Sequence, residues 1–202
     1  MAQRRQEKGV LQIELLRGGL LSEFASALEV LNKVYQHLYT LDLIVQEAKE
    51  RAEPQVYNRR RRSGPRLRSI SKVEAVVLPE DRLRITHLSL SSPGLIDLVG
   101  SLNPLETLRQ YLKDRHERRK DAKYREAADA EKLDLGNQKL RQEVILGDIE
   151  ILRQLGYGED VIRLAISKHF FEPADGIDRL QDANLIGGAQ LKRLPPPAED
   201  GR

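Results

Sequence analysis

Apolar side chains recur at three- and four-residue steps through residues 21–51, and no proline or glycine interrupts them. They are Phe24, Leu28, Leu31, Tyr35, Leu38, Leu41, Val45 and Ala48. This spacing places one continuous apolar stripe along a long α-helix, and such a stripe must be buried against other elements. Ser22 is a suitable N-cap, and Pro54 ends the pattern. A long helix with one buried face therefore organises the first part of the chain.

Segments on both sides of this helix have the alternation of half-buried β-strands. The first is residues 9–16, in which three apolar side chains share one face, namely Leu11, Ile13 and Leu15. Residues 72–78 and 82–90 alternate similarly across a proline-containing turn, which predicts an antiparallel hairpin. The second of these strands changes phase near His87-Leu88, which indicates a β-bulge. We expect a three-stranded sheet with free edges to which another chain can add a strand.

Residues 104–155 have the pattern of a long charged helix, and a short helix is predicted before it at 95–100, after Ser92-Pro93. The middle part, 113–132, is almost wholly polar, as in a helix that projects into solvent. Apolar residues nearer the end fit a partial heptad, namely Leu133, Leu140, Val144, Ile151 and Leu155. These features predict a continuous helical arm that self-associates through its apolar residues.

The remainder of the chain is predicted to form a small helical cluster. Residues 159–171 are amphipathic, Pro173 ends that helix, and a last helix follows near 174–186. The chain from Lys192 onward contains three consecutive prolines and is typical of a disordered tail. The predicted class is α+β: a small three-stranded sheet with a packed helix, then a long charged helix and a C-terminal helical cluster. The corresponding segments are 1–102, 103–155, 156–191 and 192–202.

The composition excludes several kinds of site. The chain has no cysteine, so disulfides, thiolate catalysis and cysteine-based zinc sites are absent. Residues 1–8 lack the apolar region of a signal peptide, and no apolar run approaches the roughly 20 residues of a membrane helix. We therefore expect a cytoplasmic protein with no membrane partner and no cofactor. The net charge of +3 does not by itself indicate a nucleic-acid partner.

Candidate catalytic groups are few. Backbone amides of the turn Ser91-Ser92-Pro93-Gly94 can hold a phosphate, but the turn lacks the further glycines and the lysine of a phosphate loop. His87 precedes these serines without an evident acidic partner to orient it. The four histidines are isolated in the sequence, which argues against a metal site. We therefore expect a non-enzymatic protein, and an enzyme that acts through Ser91, Ser92 and His87 is the least favoured alternative.

Basic residues are concentrated in two places. Six arginines fall in the predicted exposed loop 55–69, namely Arg59, Arg60, Arg61, Arg62, Arg66 and Arg68. Others lie along Lys113–Arg125 of the predicted arm, including Arg118, Arg119 and Lys120. Such residues can contact backbone phosphates or dock on an acidic protein surface. Two functions stay open: a scaffolding module that binds a protein partner or itself, as a homo-oligomer, and a nucleic-acid-binding accessory protein.

Two stretches resemble known families. The strand ending in LSLSSPG and the following LIDLVGSLNPLETLRQYLKDRHERRKD resemble, over residues 9–135, a group of uncharacterised bacterial proteins with a Ser-Pro-Gly turn and a long charged helix. That resemblance implies an accessory or effector-associated module of bacterial multi-domain systems, defence systems among them, without an established activity. Around Leu155-Gly156-Tyr157 the chain is similar to ubiquitin-associated-type three-helix domains, which bind proteins. The third helix departs from that pattern, since Pro173 and Asp175-Gly176 crowd its start.

Overall fold

A computed structural model describes residues 7–16, 21–52, 77–90, 94–122, 139 and 141–195. The strands are β1 (Lys8–Leu15), β2 (Arg84–Ser89), β3 (Gly94–Ser101) and β4 (Ile186–Arg193). The helices are α1 (Leu21–Ala52), α2 (Leu102–Ala122), α3 (Leu146–Gln154), α4 (Glu159–Ile166) and α5 (Glu172–Asp182). A 3-10 turn spans Pro79–Asp81, and a π-helical turn, Ser167–Phe171, joins α4 to α5. The predicted α+β class is confirmed.

The four strands form one antiparallel sheet with the order β2-β3-β1-β4. The chain runs β-α-β-β-α-β, with α3 to α5 inserted before the last strand, which is the order of a split β-α-β motif. The register pairs Leu11 with Leu98 and Ile13 with Ile96. The apolar side chains of the two central strands therefore share one face, which is buried with side chains of α1 and α2 in a single core.

The predicted first strand and long helix are confirmed as β1 and α1. Most of the apolar stripe of α1 is nearly inaccessible to solvent, namely Leu31, Tyr35, Leu38, Leu41, Val45 and Ala48. Phe24 and Leu28, at the other end of the stripe, are partly buried against the same core. Because this helix contributes side chains along almost its whole length, it is the main support of the buried face of the sheet.

The described sheet has four strands rather than three, and β2 has a neighbour, β3, that the sequence did not predict. It pairs with β3, whereas residues 72–76 of the predicted hairpin lie outside the described residues. Residues 95–100, predicted as a short helix, belong to β3. That strand pairs with β1 on one side and β2 on the other. The hydrogen bonds of β3 with β1 and β2 outweigh the helix-start signal of Ser92-Pro93, because strand formation depends strongly on tertiary context.

Strand β4 replaces the end of the helix predicted at 174–186 and part of the predicted tail. After α5, Asn184 adopts a left-handed backbone with φ of 53°, which turns the chain. Residues 186–193 then pair with β1, so Lys192 and Arg193 are in a strand rather than in a disordered tail. Residues 196–202 of the predicted tail lie outside the described residues. The sheet is therefore completed by a strand from the far end of the chain.

The single continuous helix predicted over 104–155 is wrong. Helices α2 and α3 are separate, and a turn at Ile145 precedes α3. In one helix, Tyr111 and Arg141 would be about 45 Å apart at 1.5 Å per residue. Instead, the Nε of Arg141 donates a hydrogen bond of 3.2 Å to the Tyr111 hydroxyl. The segment that begins near Arg141 therefore packs beside α2 and does not project from the body.

Pro173 does not end the helix before it, as the sequence predicted. It lies in the first turn of α5, where a helix tolerates the missing backbone N–H. The π-helical turn immediately before it moves the hydrogen-bond ladder by one residue, and Phe171 and Glu172 keep right-handed helical angles. Residues 159–182 therefore form one helical run in spite of the proline.

Candidate functional site at the β2 edge

Strand β2 forms one edge of the sheet, and its apolar side chains are open to solvent. Ile85 is 48% exposed, Leu88 is 40% exposed, and Leu90, immediately after the strand, is 70% exposed. In the described sheet, β2 has β3 on one side and no strand on the other. An unpaired edge with exposed apolar side chains is a template for pairing with another chain.

A β-bulge places these apolar side chains on one face. The register of β2 against β3 shifts between Ile85 and His87, which makes Thr86 the extra residue. Ile85 and Leu88 consequently both pair with buried residues of β3, namely Leu98 and Ile96. Both side chains therefore lie on the face of the sheet that α1 and α2 cover. The bulge predicted near His87-Leu88 is present close to that position.

An apolar groove lies beside this edge, between β2 and α1. Its volume is about 270 Å³, and its apolar lining consists of Leu28, Leu31, Leu83, Ile85 and Leu98. Glu29 and Asn32 of α1 are the polar residues of the lining. Because Ile85 belongs both to the exposed edge and to the groove, an element that pairs with β2 would cover the two together.

The opposite edge, β4, has a different chemistry. A cleft of about 610 Å³ lies between it and α2, with a charged lining that includes Glu14, Glu106, Arg109, Lys113, His116 and Glu117. The guanidinium of Arg109 donates to both carboxylate oxygens of Glu106, at 3.0 and 2.6 Å. Lys192 and Arg193 are exposed at the end of β4. Charged side chains disfavour edge-to-edge pairing, so β2 is the better edge for association.

The basic residues predicted to contact phosphate are partly engaged within the chain. Six of them, Arg59, Arg60, Arg61, Arg62, Arg66 and Arg68, lie outside the described residues, as does the side chain of Lys120. Arg119 donates to the backbone carbonyl of Gln181. The guanidinium of Arg118 is 3.6 Å from the carboxylate of Glu143. The phosphate-binding role stays a prediction, and the observed contacts of Arg118 and Arg119 are internal.

Helix α2 is joined to α5 by a group of residues that we call the ionic cluster: Tyr111, Arg115, Arg141, Asp175, Asp178 and Asp182. Arg115 is only 4% exposed and lies 2.8 Å from Asp178 and 2.9 Å from Asp182. Arg141 contacts the other oxygen of Asp178 at 2.6 Å. Burial and the neighbouring Asp178 carboxylate raise the pKa of Tyr111, so its hydroxyl stays a proton donor. The cluster therefore has a structural role. The three aspartates of α5 are three and four residues apart, so they lie on one face of that helix, and this spacing is the sequence signal for the cluster.

The apolar residues predicted to form an intermolecular seam pack against their own chain. Val144, Ile151 and Leu155 are partly buried against the core. Leu133 and Leu140 lie outside the described residues. The three described side chains already have intramolecular partners, and the intermolecular seam stays a prediction.

The candidate catalytic residues give no assembled site in the described part of the chain. His87 lies on the exposed edge, paired with Asp97 of β3, whereas Ser91 and Ser92 are outside the described residues. Burial and the nearby Asp42 carboxylate raise the pKa of Asp148 to about 6, which Lys49 partly opposes. This carboxyl pair lies where α1 and α3 meet and has no adjacent nucleophile in the described contacts that would indicate catalysis.

The described ranges contain neither a metal-binding group of side chains nor a membrane-spanning helix. Within them, no group of three or more His, Cys, Asp and Glu side chains is arranged to hold a metal ion. Among the helices so described, none combines the length and apolar character needed to cross a membrane.

Comparisons of the chain with family models, with curated proteins and with solved structures found no match.

Proposed function

We propose that this chain is a non-enzymatic protein-interaction module that self-associates by pairing β2 with β2 of a second copy. The observation that supports this proposal most strongly is the exposure of Ile85 and Leu88 on a strand that has no second neighbour among the described strands. It replaces the predicted helical seam, whose described apolar residues pack internally. We place the module in the cytoplasm, as the sequence predicts.

The pattern of β2 is complementary to itself. In an antiparallel pair centred between Thr86 and His87, Ile85 faces Leu88 of the second copy, and Arg84 faces Ser89. Ile85 and Leu88 share the helix-covered face, because both pair with buried residues of β3. A two-fold axis at this position therefore brings apolar side chains together twice, as an isologous interface requires.

Charge does not oppose this pairing. Strand β2 contains no acidic residue, and the proposed register opposes its one arginine to a serine. Arg84 also points back to its own chain, since its guanidinium donates to the Pro79 carbonyl at 3.3 Å. Cross-strand apolar pairs then provide the stabilisation, roughly 0.2–1 kcal/mol each, together with burial of the exposed side chains.

The alternative of a nucleic-acid-binding accessory protein rests on the six arginines of 59–68, which the described structure does not include. The described part of the basic helix face supports it less, because Arg119 is bound to Gln181 and Arg118 lies near Glu143. A titration of binding to DNA or RNA against salt separates the two functions. Affinity that falls steeply with salt indicates phosphate contacts, whereas absence of binding at low salt excludes them.

The double substitution Ile85→Lys/Leu88→Lys tests the proposed interface. We expect the wild-type chain to sediment as a dimer at tens of micromolar, an order-of-magnitude estimate from the affinity scale. The substitutions place two charged side chains per copy opposite each other, so we expect the dimer dissociation constant to rise by about a hundredfold or more, equivalent to about 2.7 kcal/mol. Sedimentation velocity over a range of protein concentrations measures both quantities.

The matched control is Leu164→Lys, which charges a leucine that is 55% exposed on α4, outside the sheet. It should leave the dimer intact. A wild-type chain that stays monomeric at every concentration contradicts the proposal. So does a double variant that dimerises as tightly as the wild type, because the β2 edge would then not be the interface.

A further inference from the structure

Two histidines meet where the C-terminal helices pack on α1. His37 of α1 and His169 of the π-helical turn have ring centroids 5.6 Å apart. His169 is 0% exposed, and neither of its ring nitrogens has a hydrogen-bond partner in the described structure. The Nδ1 atom of His37 is likewise buried without a partner there. Buried polar atoms normally find partners, so this contact requires an explanation other than stability.

The π-helical turn brings His169 to this position. The turn contacts α1, α4 and α5, so it is the joint through which the helical run 159–182 meets the long helix. Single π-helical turns of this kind occur frequently at functional positions. The run is also held to α2 by the ionic cluster, which lies around Asp178. The histidine contact and the ionic cluster are therefore two separate attachments of the same segment.

The charged groups around the two imidazoles disfavour a proton on either ring. Lys33 of α1 and Lys168 of the turn lower the pKa of His37, whereas Glu172 of α5 raises it. His37 and Lys168 lower the pKa of His169. Helix α4 also contacts the turn, but none of its described charged side chains is among the electrostatic neighbours of either ring. A protonated imidazole would thus lie near two lysines and one carboxylate, in a site with little access to water.

These surroundings change the proton affinity of both side chains in the same direction. Burial, together with smaller contributions from His37 and Lys168, lowers the pKa of His169 to about 4. Burial and the neighbouring Lys33 also lower the pKa of His37, although its contact with the Lys168 backbone opposes this. Both rings are therefore neutral at pH 7 in the folded protein.

We propose that the contact between His37 and His169 is an acid-sensitive latch. Neutral imidazoles allow the π-helical turn to pack on α1, and a proton taken up at mildly acidic pH releases the run 159–182 from that helix. The released segment would expose the apolar side chains that it buries at neutral pH, such as Phe170 and Ile177.

The sign of the pH dependence follows from the lowered pKa. A free histidine titrates near 6.5, so the released state binds a proton more tightly than the packed state does. The free energy by which the histidine contact holds the run 159–182 on α1 has its full value above about pH 6.5, and it declines as the pH falls toward 4. For His169 alone, the equilibrium constant for release should rise on the order of a hundredfold across this interval.

The test compares the wild-type chain with His169→Phe, which keeps an aromatic ring in the contact and removes the titrating group. Amide hydrogen exchange of residues 159–182, corrected for the intrinsic pH dependence, is measured between pH 7 and 4.5. In the wild type we expect exchange to accelerate as the pH falls, and in the variant we expect a much smaller acceleration, because only His37 still titrates in the contact. His116→Gln, which changes a histidine of α2 in the cleft beside β4, is the control and should respond as the wild type does.

An NMR titration of the wild-type imidazoles keeps the proposal testable if the variant does not fold. The His169 resonance should remain that of a neutral ring at pH 5 while the segment is packed. The proposal is overturned if His169 titrates near 6.5 with no change in exchange, or if the acid response of the variant is as large as that of the wild type. It is also overturned if Zn²⁺ at pH 7 protects the wild-type segment but not the variant, since the pair would then be metal ligands.

Discussion

Replacing Arg115 with alanine is expected to lower the free energy of unfolding by about 3 kcal/mol or more. The guanidinium is 4% exposed and contacts Asp178 at 2.8 Å, Asp182 at 2.9 Å and the side-chain oxygen of Gln181 at 3.2 Å. Removing it leaves the buried Gln181 oxygen without this donor and the carboxylates with less positive charge. The cost falls on Gln181 and on Asp178, whose side chain is 16% exposed, because both lose a partner in a buried site, whereas Asp182, at 59% exposed, regains water. Chemical denaturation at neutral pH measures the change.

The control for this effect is Arg153→Ala. Arg153 makes an equally close contact with Glu159, at 2.6 Å, but the two side chains are 54% and 59% exposed. We expect no measurable change in stability, because water replaces the contact at an exposed site. If both variants lose the same stability, burial is not what makes the ionic cluster important, and our description of how α5 is held to α2 is wrong.

Replacing Gly100 with alanine is expected to cost about 3 kcal/mol of stability. A Cβ at this position of β3 would lie 2.8 Å from Cε2 of Tyr35. The ring cannot move without cost, because its hydroxyl donates to the Asp81 carbonyl at 2.6 Å and accepts from the Ser101 N–H at 2.8 Å. The added methyl group therefore breaks buried hydrogen bonds or strains the strand. Thermal and chemical unfolding report the loss.

Gly147→Ala should raise the free energy of unfolding, which is the opposite of the effect expected for Gly100→Ala. A Cβ at position 147 of α3 meets no atom within 4 Å, and alanine favours a helix over glycine by up to about 1 kcal/mol. A destabilised Gly147→Ala variant, or a Gly100→Ala variant as stable as the wild type, would contradict the packing described here. Together the two substitutions separate close contact from helix propensity.

The elements that sequence periodicity identified correctly are those whose pattern is long and regular. Helix α1 has one apolar stripe over its whole length, and β1 alternates cleanly. Strand β4 was missed because Gly187 and Gly188 have low strand propensity. Its formation depends on pairing with β1, more than 170 residues earlier in the chain. No local pattern contains that information.

The error over 104–155 has a similar origin. The local charge pattern favours a helix, and helices do form on both sides of the segment that the structure does not describe. Whether two helical segments are continuous depends on contacts such as that between Tyr111 and Arg141, which are 30 positions apart. Periodicity reports which face of a helix is apolar, and it does not report which segment covers that face.

The proposed interface was only partly predictable. The phase change in residues 82–90 indicated the bulge, and a small sheet was expected to have an edge open to another chain. Which strand forms that edge depends on the order β2-β3-β1-β4, and this order requires the structure. Ile85 and Leu88 are exposed because β2 lies at the edge of the sheet, whereas their hydrophobicity alone would predict burial.

Hydrogen exchange of the β2 amides, measured on the wild-type chain below and above the concentration at which it dimerises, tests the central claim most directly. If β2 pairs with β2 of a second copy, outer-edge amides within residues 84–89 become protected when the dimer forms. Amides of β4, residues 186–193, should exchange at the same rate in both samples. A dimer that leaves the exchange of β2 unchanged, or that protects β4 instead, would contradict the account.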